Sequence, residues 1–140
     1  MLGIKDAGHA ESMSGGPQPF IGKLRCSLAG ESKTVELSPG TAVFQAYKRK
    51  TVVEQYNCAY GLNEAFRDTL VDRKLKIVGV DAEGEARVVE LSGHRFFIAT
   101  LFLPQLSSSR TAPHPLVMAF LQAAVEFQSA KPATYNFNTE

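Results

Sequence analysis

The sequence predicts an α/β domain, with a mostly parallel sheet, helices on its faces and an antiparallel hairpin set into it. Three observations carry that expectation. Phe96 to Leu103 is nearly continuous apolar, as in a strand buried on both faces. Leu116 to Phe127 repeats apolar side chains at helical spacing. Between two β-rich runs, Asp81-Ala82-Glu83-Gly84 supplies residue types that tolerate the left-handed dihedrals of a tight turn.

The elements follow in order. Ser12 to Pro19 is small, polar and rich in Gly and Pro, so the first 19 residues read as loop. Phe20 to Leu28 and Lys33 to Leu37 alternate as strands do. The turn at Ser38-Pro39-Gly40-Thr41 can start a short helix over Ala42 to Tyr47, and Val52 to Tyr56 is another β-rich run. Asn63 is a good N-cap for a helix over Glu64 to Arg73, with Phe66, Leu70 and Val71 as its stripe. Leu75 to Val80 and Ala86 to Leu91 are the hairpin strands. Pro104 ends the apolar strand, and Pro115 suits a first helical turn, where its missing N–H costs nothing. The helix that follows has two adjoining apolar faces, Leu116, Phe120, Ala124 and Val117, Leu121, Val125, and is expected to pack tightly on the sheet. Residues 1–131 make one domain and 132–140 a flexible tail.

Composition excludes several function classes. A formal charge of +1 gives no reason to expect nucleic acid or a membrane surface as partner. No apolar stretch reaches the roughly 18 residues of a membrane span, and charges interrupt the first residues where a signal peptide needs its apolar core. Two cysteines, Cys26 and Cys58, make neither a disulfide framework nor a metal site, so both are expected reduced in the cytoplasm. Gly15-Gly16 lacks a following Lys-Ser/Thr, so no phosphate-binding loop is present. Neither a cofactor nor a metal is expected.

Several segments together resemble a known family. Leu2-Gly3-Ile4-Lys5-Asp6-Ala7 is similar to Leu-Gly-Trp-Lys-Asp-Ala, and Glu54 to Asn63 to Glu-Arg-His-Arg-His-Arg-Tyr-Glu-Val-Asn, with Glu54, Tyr60 and Asn63 kept. Val88-Val89-Glu90-Leu91, Gly93 to Phe97, His114-Pro115-Leu116 and Ala123 to Gln128 continue the likeness. In this order and spacing they resemble the C-terminal part of the class I glutamine amidotransferase domain of CTP synthase. The resemblance implies a truncated form of that fold.

What it implies for activity is negative. Where the family carries Gln-Phe-His-Pro-Glu-Phe, this chain reads Leu101-Phe102-Leu103-Pro104-Gln105-Leu106. Leu103 thus stands for the catalytic histidine and Gln105 for its orienting carboxylate, and neither side chain can move or stabilise a proton in that role. The family's Gly-x-Cys-x-Gly nucleophile elbow lies upstream of the resemblance. The arginine that holds the glutamine carboxylate is Ala59 here. The resemblance keeps Tyr60 and Glu54 as substrate-side positions, and it implies no independent glutamine hydrolysis. The alternative is one part of a longer glutamine-hydrolysing enzyme whose other half supplies the nucleophile. A parallel sheet cut at this point would leave a bare edge, so either self-association or pairing through that edge, or a longer reading frame begun at an internal Met, is expected.

Other reactive side chains have plainer readings. Cys58 has no base beside it in sequence and is expected to pack half-buried. Cys26, at the end of a strand, is expected in the core. Asp6, His9 and Glu11 are residue types that bind metals, but their spacing matches no tight motif, so His9 is expected as a solvated loop histidine. His94 and His114 read as turn and capping residues, and Lys48-Arg49-Lys50 as an exposed helix end.

Overall fold

A computed structural model describes residues 7–12, 18–70 and 73–130. Among them the strands are β1 (Ile21–Lys23), β2 (Ser32–Leu37), β3 (Thr51–Gln55), β4 (Tyr60–Leu62), β5 (Leu75–Val80), β6 (Ala86–Leu91) and β7 (Ile98–Thr100). The helices are α1 (Ala42–Tyr47) and α2 (Pro115–Ser129). β1 and β4 pair as a small ribbon, and the main sheet has the order β3-β2-β5-β6-β7. The expected 132–140 tail, most of the N-terminal loop, Asp6 and Val71 lie outside the described residues.

The class is α/β, but the sheet is not mostly parallel. Every strand pair in both sheets is antiparallel. For β5–β6 and β6–β7 the connections 81–85 and 92–97 explain this, since a parallel crossover needs about a dozen residues or more. The apolar run that suggested parallel strands has another cause. Ala99 and Leu101 face a cavity beside the β1–β4 ribbon, while Phe96 and Ile98 face α2. Apolarity on both sides of this segment reports two covering layers, and says nothing of strand direction. Only Ile98–Thr100 of the run is strand. Phe102 beyond it is fully buried and meets Tyr56 edge-on at 6.0 Å between ring centroids. Such burial contributes about 2–3 kcal/mol.

The core is read off the alternation of β2 and β3. Val35 and Leu37 point inward from β2, and Val52, Glu54 and Tyr56 from β3 and its continuation. Val43, Val78, Val88 and Leu116 close the cluster. In β5 the register shifts around Gly79, where a Cβ would lie 2.7 Å from Val88 Cγ2 and 2.9 Å from Val88 Cβ. Glycine lets the two strands approach there.

The hairpin expected at 81–84 forms, with Gly84 at φ +80°. Asp81 fixes it by accepting the Glu85 N–H at 2.8 Å and the Arg87 guanidinium at 3.0 Å (Nε) and 2.5 Å (Nη2). Helix α1 starts at Thr41, whose Oγ1 accepts the Phe44 N–H, and Glu90 Oε2 accepts the N–H groups of Ala42 and Val43 at 2.9 and 3.3 Å. Unpaired donors at a helix start suit a carboxylate from a neighbouring strand.

Four further expectations are corrected. The helix over 64–73 is replaced by two 3-10 turns, Glu64–Phe66 and Asp68–Leu70, although Asn63 caps the first through Oδ1 and the Ala65 N–H. Within these turns only Leu70 enters the core, so no continuous apolar stripe favours α over 3-10 hydrogen bonding. The strand expected over Phe20 to Leu28 shrinks to β1, because Leu24 and Leu28 bond singly to loop carbonyls of Ala59 and Cys58. Cys26 is exposed, not core, on that irregular stretch. Finally, α2 does not pack tightly along its length. Leu116 is buried, but Val117, Met118, Phe120, Leu121, Val125 and Phe127 are exposed. The helix is apolar on more faces than this sheet and α1 can cover.

Candidate functional site

The positions singled out in the sequence fall into three places, two of them enclosed. The first is a buried polar cluster where β3, α1 and the start of α2 meet. His114 is the α2 N-cap, and its Nδ1 accepts the Leu116 N–H at 3.2 Å. An accepting Nδ1 leaves the ring proton on Nε2. Nε2 lies 3.2 Å from both oxygens of Glu54 and so donates to that carboxylate. Tyr47 Oη donates to Glu54 Oε1 at 2.5 Å and sits 3.0 Å from His114 Nε2. Glu54 and His114 are each 3% exposed. Burial first, then the hydrogen bond to Glu54 and its negative charge, push the Tyr47 phenol well above its ordinary value, so it stays a donor.

A histidine, a carboxylate and a phenol in mutual contact have the residue types of a proton relay. Here Glu54 and His114 are almost wholly out of solvent, and the one hydroxyl beyond the trio that meets their side chains among the described residues, Ser107 Oγ, donates to Glu54 Oε2 at 3.5 Å. Their chemistry is structural: the cluster ties a strand, a short helix and the cap of a long helix together, with each buried polar atom partnered. Neither Tyr47 nor the clamp was foreseen from the sequence, where His114 reads only as a cap. The signal was a lone Glu on the inward phase of β3, between Val52 and Tyr56.

The second place is a cavity of about 330 Å³ between the β1–β4 ribbon and β6–β7. Its walls include Phe20, Leu62, Leu70, Val88 and Leu101, and its polar members include His9, Cys58 and Tyr60. The His9 and Tyr60 rings are 5.0 Å apart, so His9 is held against an aromatic wall instead of standing free in a loop. His9 Nδ1 accepts the Glu11 N–H at 3.2 Å. Cys58 Sγ donates to the Tyr60 carbonyl at 3.1 Å and accepts the Tyr60 N–H at 3.4 Å. Among the described residues no hydrogen bond joins Cys58 to a base, and no group of three metal-binding side chains forms. Arg87 also borders the cavity, but its guanidinium is committed to Asp81 and Glu85. Tyr60 and Glu54 are therefore not brought together.

The third place is the Leu101–Leu106 segment, which follows β7 directly. Leu103 is half-buried, donates its N–H to the Gln55 carbonyl at 2.9 Å and begins a 3-10 turn over Pro104–Leu106. Gln105 on that turn is exposed. Ala59 is half-buried in the bend just before β4, with its carbonyl accepting the Leu24 N–H at 2.8 Å. No proton donor or acceptor of catalytic type stands at any of the three positions.

The fold and the sequence place the chain with domains of the glutamine amidotransferase type. The glutaminase domain of the Trypanosoma brucei CTP synthase, solved with bound acivicin, superposes with a TM-score of 0.66 at 26% identity, over 72% of this chain and 40% of that one. The CTP synthase of Gloeothece citriformis is 37% identical over 134 residues, which cover 89% of this chain and 24% of that protein. The CTP synthase of Pelotomaculum thermopropionicum is 36% identical over 141 residues, 94% of this chain and 26% of that protein. No family model matches the chain. By sequence and fold, the chain belongs with the glutaminase domain of the CTP synthases. It spans about a quarter of the length of these relatives. Among the described residues no helix is long and apolar enough to cross a membrane.

Proposed function

We propose that this chain is a CTP synthase-type glutaminase domain that does not itself hydrolyse glutamine, and that serves as a binding element. One feature of the resemblance carries this reading: Leu103 and Gln105 stand where the family pattern Gln-Phe-His-Pro-Glu-Phe has its proton-transferring histidine and its carboxylate. Without a base, an attacking thiol is not activated, and the remaining parts of a triad contribute little on their own. Cys58 does not substitute, since its thiol proton is directed at a backbone carbonyl. His114 does not substitute either, because it is buried and committed to Glu54 and the α2 cap.

The binding role rests on the Tyr60 cavity. Its walls are apolar and the arginine at its border is already paired, so it offers a poor site for a zwitterion such as glutamine. The test is ammonia release from glutamine by the purified chain, beside the Cys58→Ser and His9→Ala variants. Turnover that either substitution abolishes sinks the proposal. The second reading, a part of a longer glutamine-hydrolysing enzyme, is favoured by the quarter-length match to CTP synthases. Reading the coding DNA upstream in frame discriminates: a strand followed by Gly-x-Cys-x-Gly supports it, and a stop codon removes it.

A further inference from the structure

The cavity beside the β1–β4 ribbon has a chemical signature in the groups it leaves free. Charge is already cancelled at its wall, since the Arg87 guanidinium is paired with Asp81 and Glu85 and its side chain is 4% exposed. Thr100 Oγ1 donates to the Phe102 carbonyl at 2.9 Å, and Cys58 Sγ is taken up by both polar groups of the Tyr60 backbone. Two side-chain functions remain. His9 Nδ1 accepts the Glu11 N–H, which leaves the ring proton on Nε2. Neither that Nε2 nor Tyr60 Oη has a hydrogen-bond partner among the described residues.

The two rings that carry these functions are held in place. Beside His9, the Ala10 N–H donates to the Ile21 carbonyl at 2.9 Å and the Ile21 N–H to the Gly8 carbonyl at 3.1 Å, so β1 fixes the segment. His9 then meets Tyr60 at 5.0 Å between ring centroids. Phe20 is a second aromatic wall, braced by Phe66 at 5.4 Å. Leu62, Leu70, Val88 and Leu101 make the remaining lining aliphatic. Aromatic walls tilted in this way suit an aromatic guest, whose edge and face both find complementary partners. A volume of about 330 Å³ is at the lower end for small-molecule sites and holds roughly ten to twelve non-hydrogen atoms.

We infer that this cavity binds a small uncharged aromatic molecule, one or two rings in size, whose single hydrogen-bonding group meets His9 Nε2 and Tyr60 Oη. The inference rests on the proposed reading of the chain as a binding element and names the ligand class. An ion fits poorly because no lining charge is free to balance it. A purely aliphatic guest would leave both polar functions unmet.

The probe is 2-naphthol, titrated into the full 140-residue chain and followed by fluorescence and calorimetry. One site is expected, with a dissociation constant on the order of 100 µM for a ligand of about eleven non-hydrogen atoms. The carboxylate analogue 2-naphthoate is expected to bind at least about tenfold more weakly, and glutamine is expected not to displace 2-naphthol. His9→Phe combined with Tyr60→Phe keeps both rings and removes both polar functions; it should weaken 2-naphthol about tenfold. Ala99→Phe, at an exposed position of the cavity wall, should fill the site and abolish binding, whereas Phe120→Asp on the exposed face of α2 should change nothing. The inference is overturned by no binding, by 2-naphthoate binding as well as 2-naphthol, or by displacement with glutamine. It is equally overturned if the double variant keeps full affinity, if binding survives Ala99→Phe, or if Phe120→Asp removes it. Ammonia release from glutamine, measured on the same preparation, refutes the non-hydrolytic reading whatever 2-naphthol does.

Discussion

The His114 imidazole lies 3.2 Å from both carboxylate oxygens of Glu54, across sixty residues of chain, while its other nitrogen caps α2. One side chain thus sets the start of the long helix and satisfies a buried carboxylate. His114→Ala removes the cap and leaves the carboxylate short of a donor. The expected loss is about 3 kcal/mol, combining a cap of about 1 with a penalty for an under-partnered buried charge. Glu54→Gln is expected to cost less, since the amide oxygen still accepts from Tyr47. Urea unfolding of the two variants checks the order.

Tyr56 Oη is buried with no hydrogen-bond partner among the described residues. Tyr56→Phe is therefore expected to stabilise the chain by about 1 kcal/mol, because an unsatisfied hydroxyl loses its desolvation cost when it is removed. A drop in the urea midpoint would contradict this.

Alkaline pH gives the same residue a second signature. Burial pushes the Tyr56 phenol up to about 12, against an opposing pull from Arg87. The folded state thus favours the protonated phenol more than the unfolded state does. That contribution is fully present below pH 10 and is lost as pH rises towards about 12. Tyr47 shifts in the same direction. Stability measured from pH 9 to 12 should fall less steeply in Tyr56→Phe than in the parent chain.

Gly79→Ala places a methyl 2.7 Å from Val88 Cγ2 and 2.9 Å from Val88 Cβ, inside a strand pair. The expected cost is about 1–3 kcal/mol, the usual range for overpacking. Val88→Ala added to it should recover part of the loss, and a double-mutant cycle reads the coupling.

The two thiols should separate kinetically. Cys26 is exposed, whereas Cys58 is half-buried with its proton directed at the Tyr60 carbonyl. Labelling with a neutral aromatic disulfide is expected to modify Cys26 at least about tenfold faster. Equal rates would show that the Tyr60 cavity opens freely.

Local chemistry in the sequence located most elements. The Asp81–Gly84 turn, the Asn63 and His114 caps and α1 follow from side chains acting on their own backbone, and such effects need no tertiary partner. Strand direction was not legible that way. Phe96 to Leu103 is apolar because layers cover both sides, and only the brevity of 92–97 betrays the antiparallel return. The 3-10 turns after Asn63 depend on which residues reach the core, which periodicity at Phe66 and Leu70 does not decide. At the candidate site, Leu103, Gln105 and Ala59 stand out only against the family pattern that the sequence resembles, and nothing in their own surroundings marks them. The Tyr47–Glu54–His114 cluster was not legible, since its members come from three elements and meet only when the sheet, α1 and α2 are assembled.

The manner in which α2 is held has a kinetic consequence. Its first turn is fixed by His114, and near its far end the Arg95 guanidinium lies 3.7 Å over the Phe127 ring. With both ends tied, the helix has few fraying states, and its exposed middle is kept wound by anchors that lie outside it. Substitutions at His114 or Arg95 should therefore speed amide exchange along the whole helix, and those in the exposed middle should change it little.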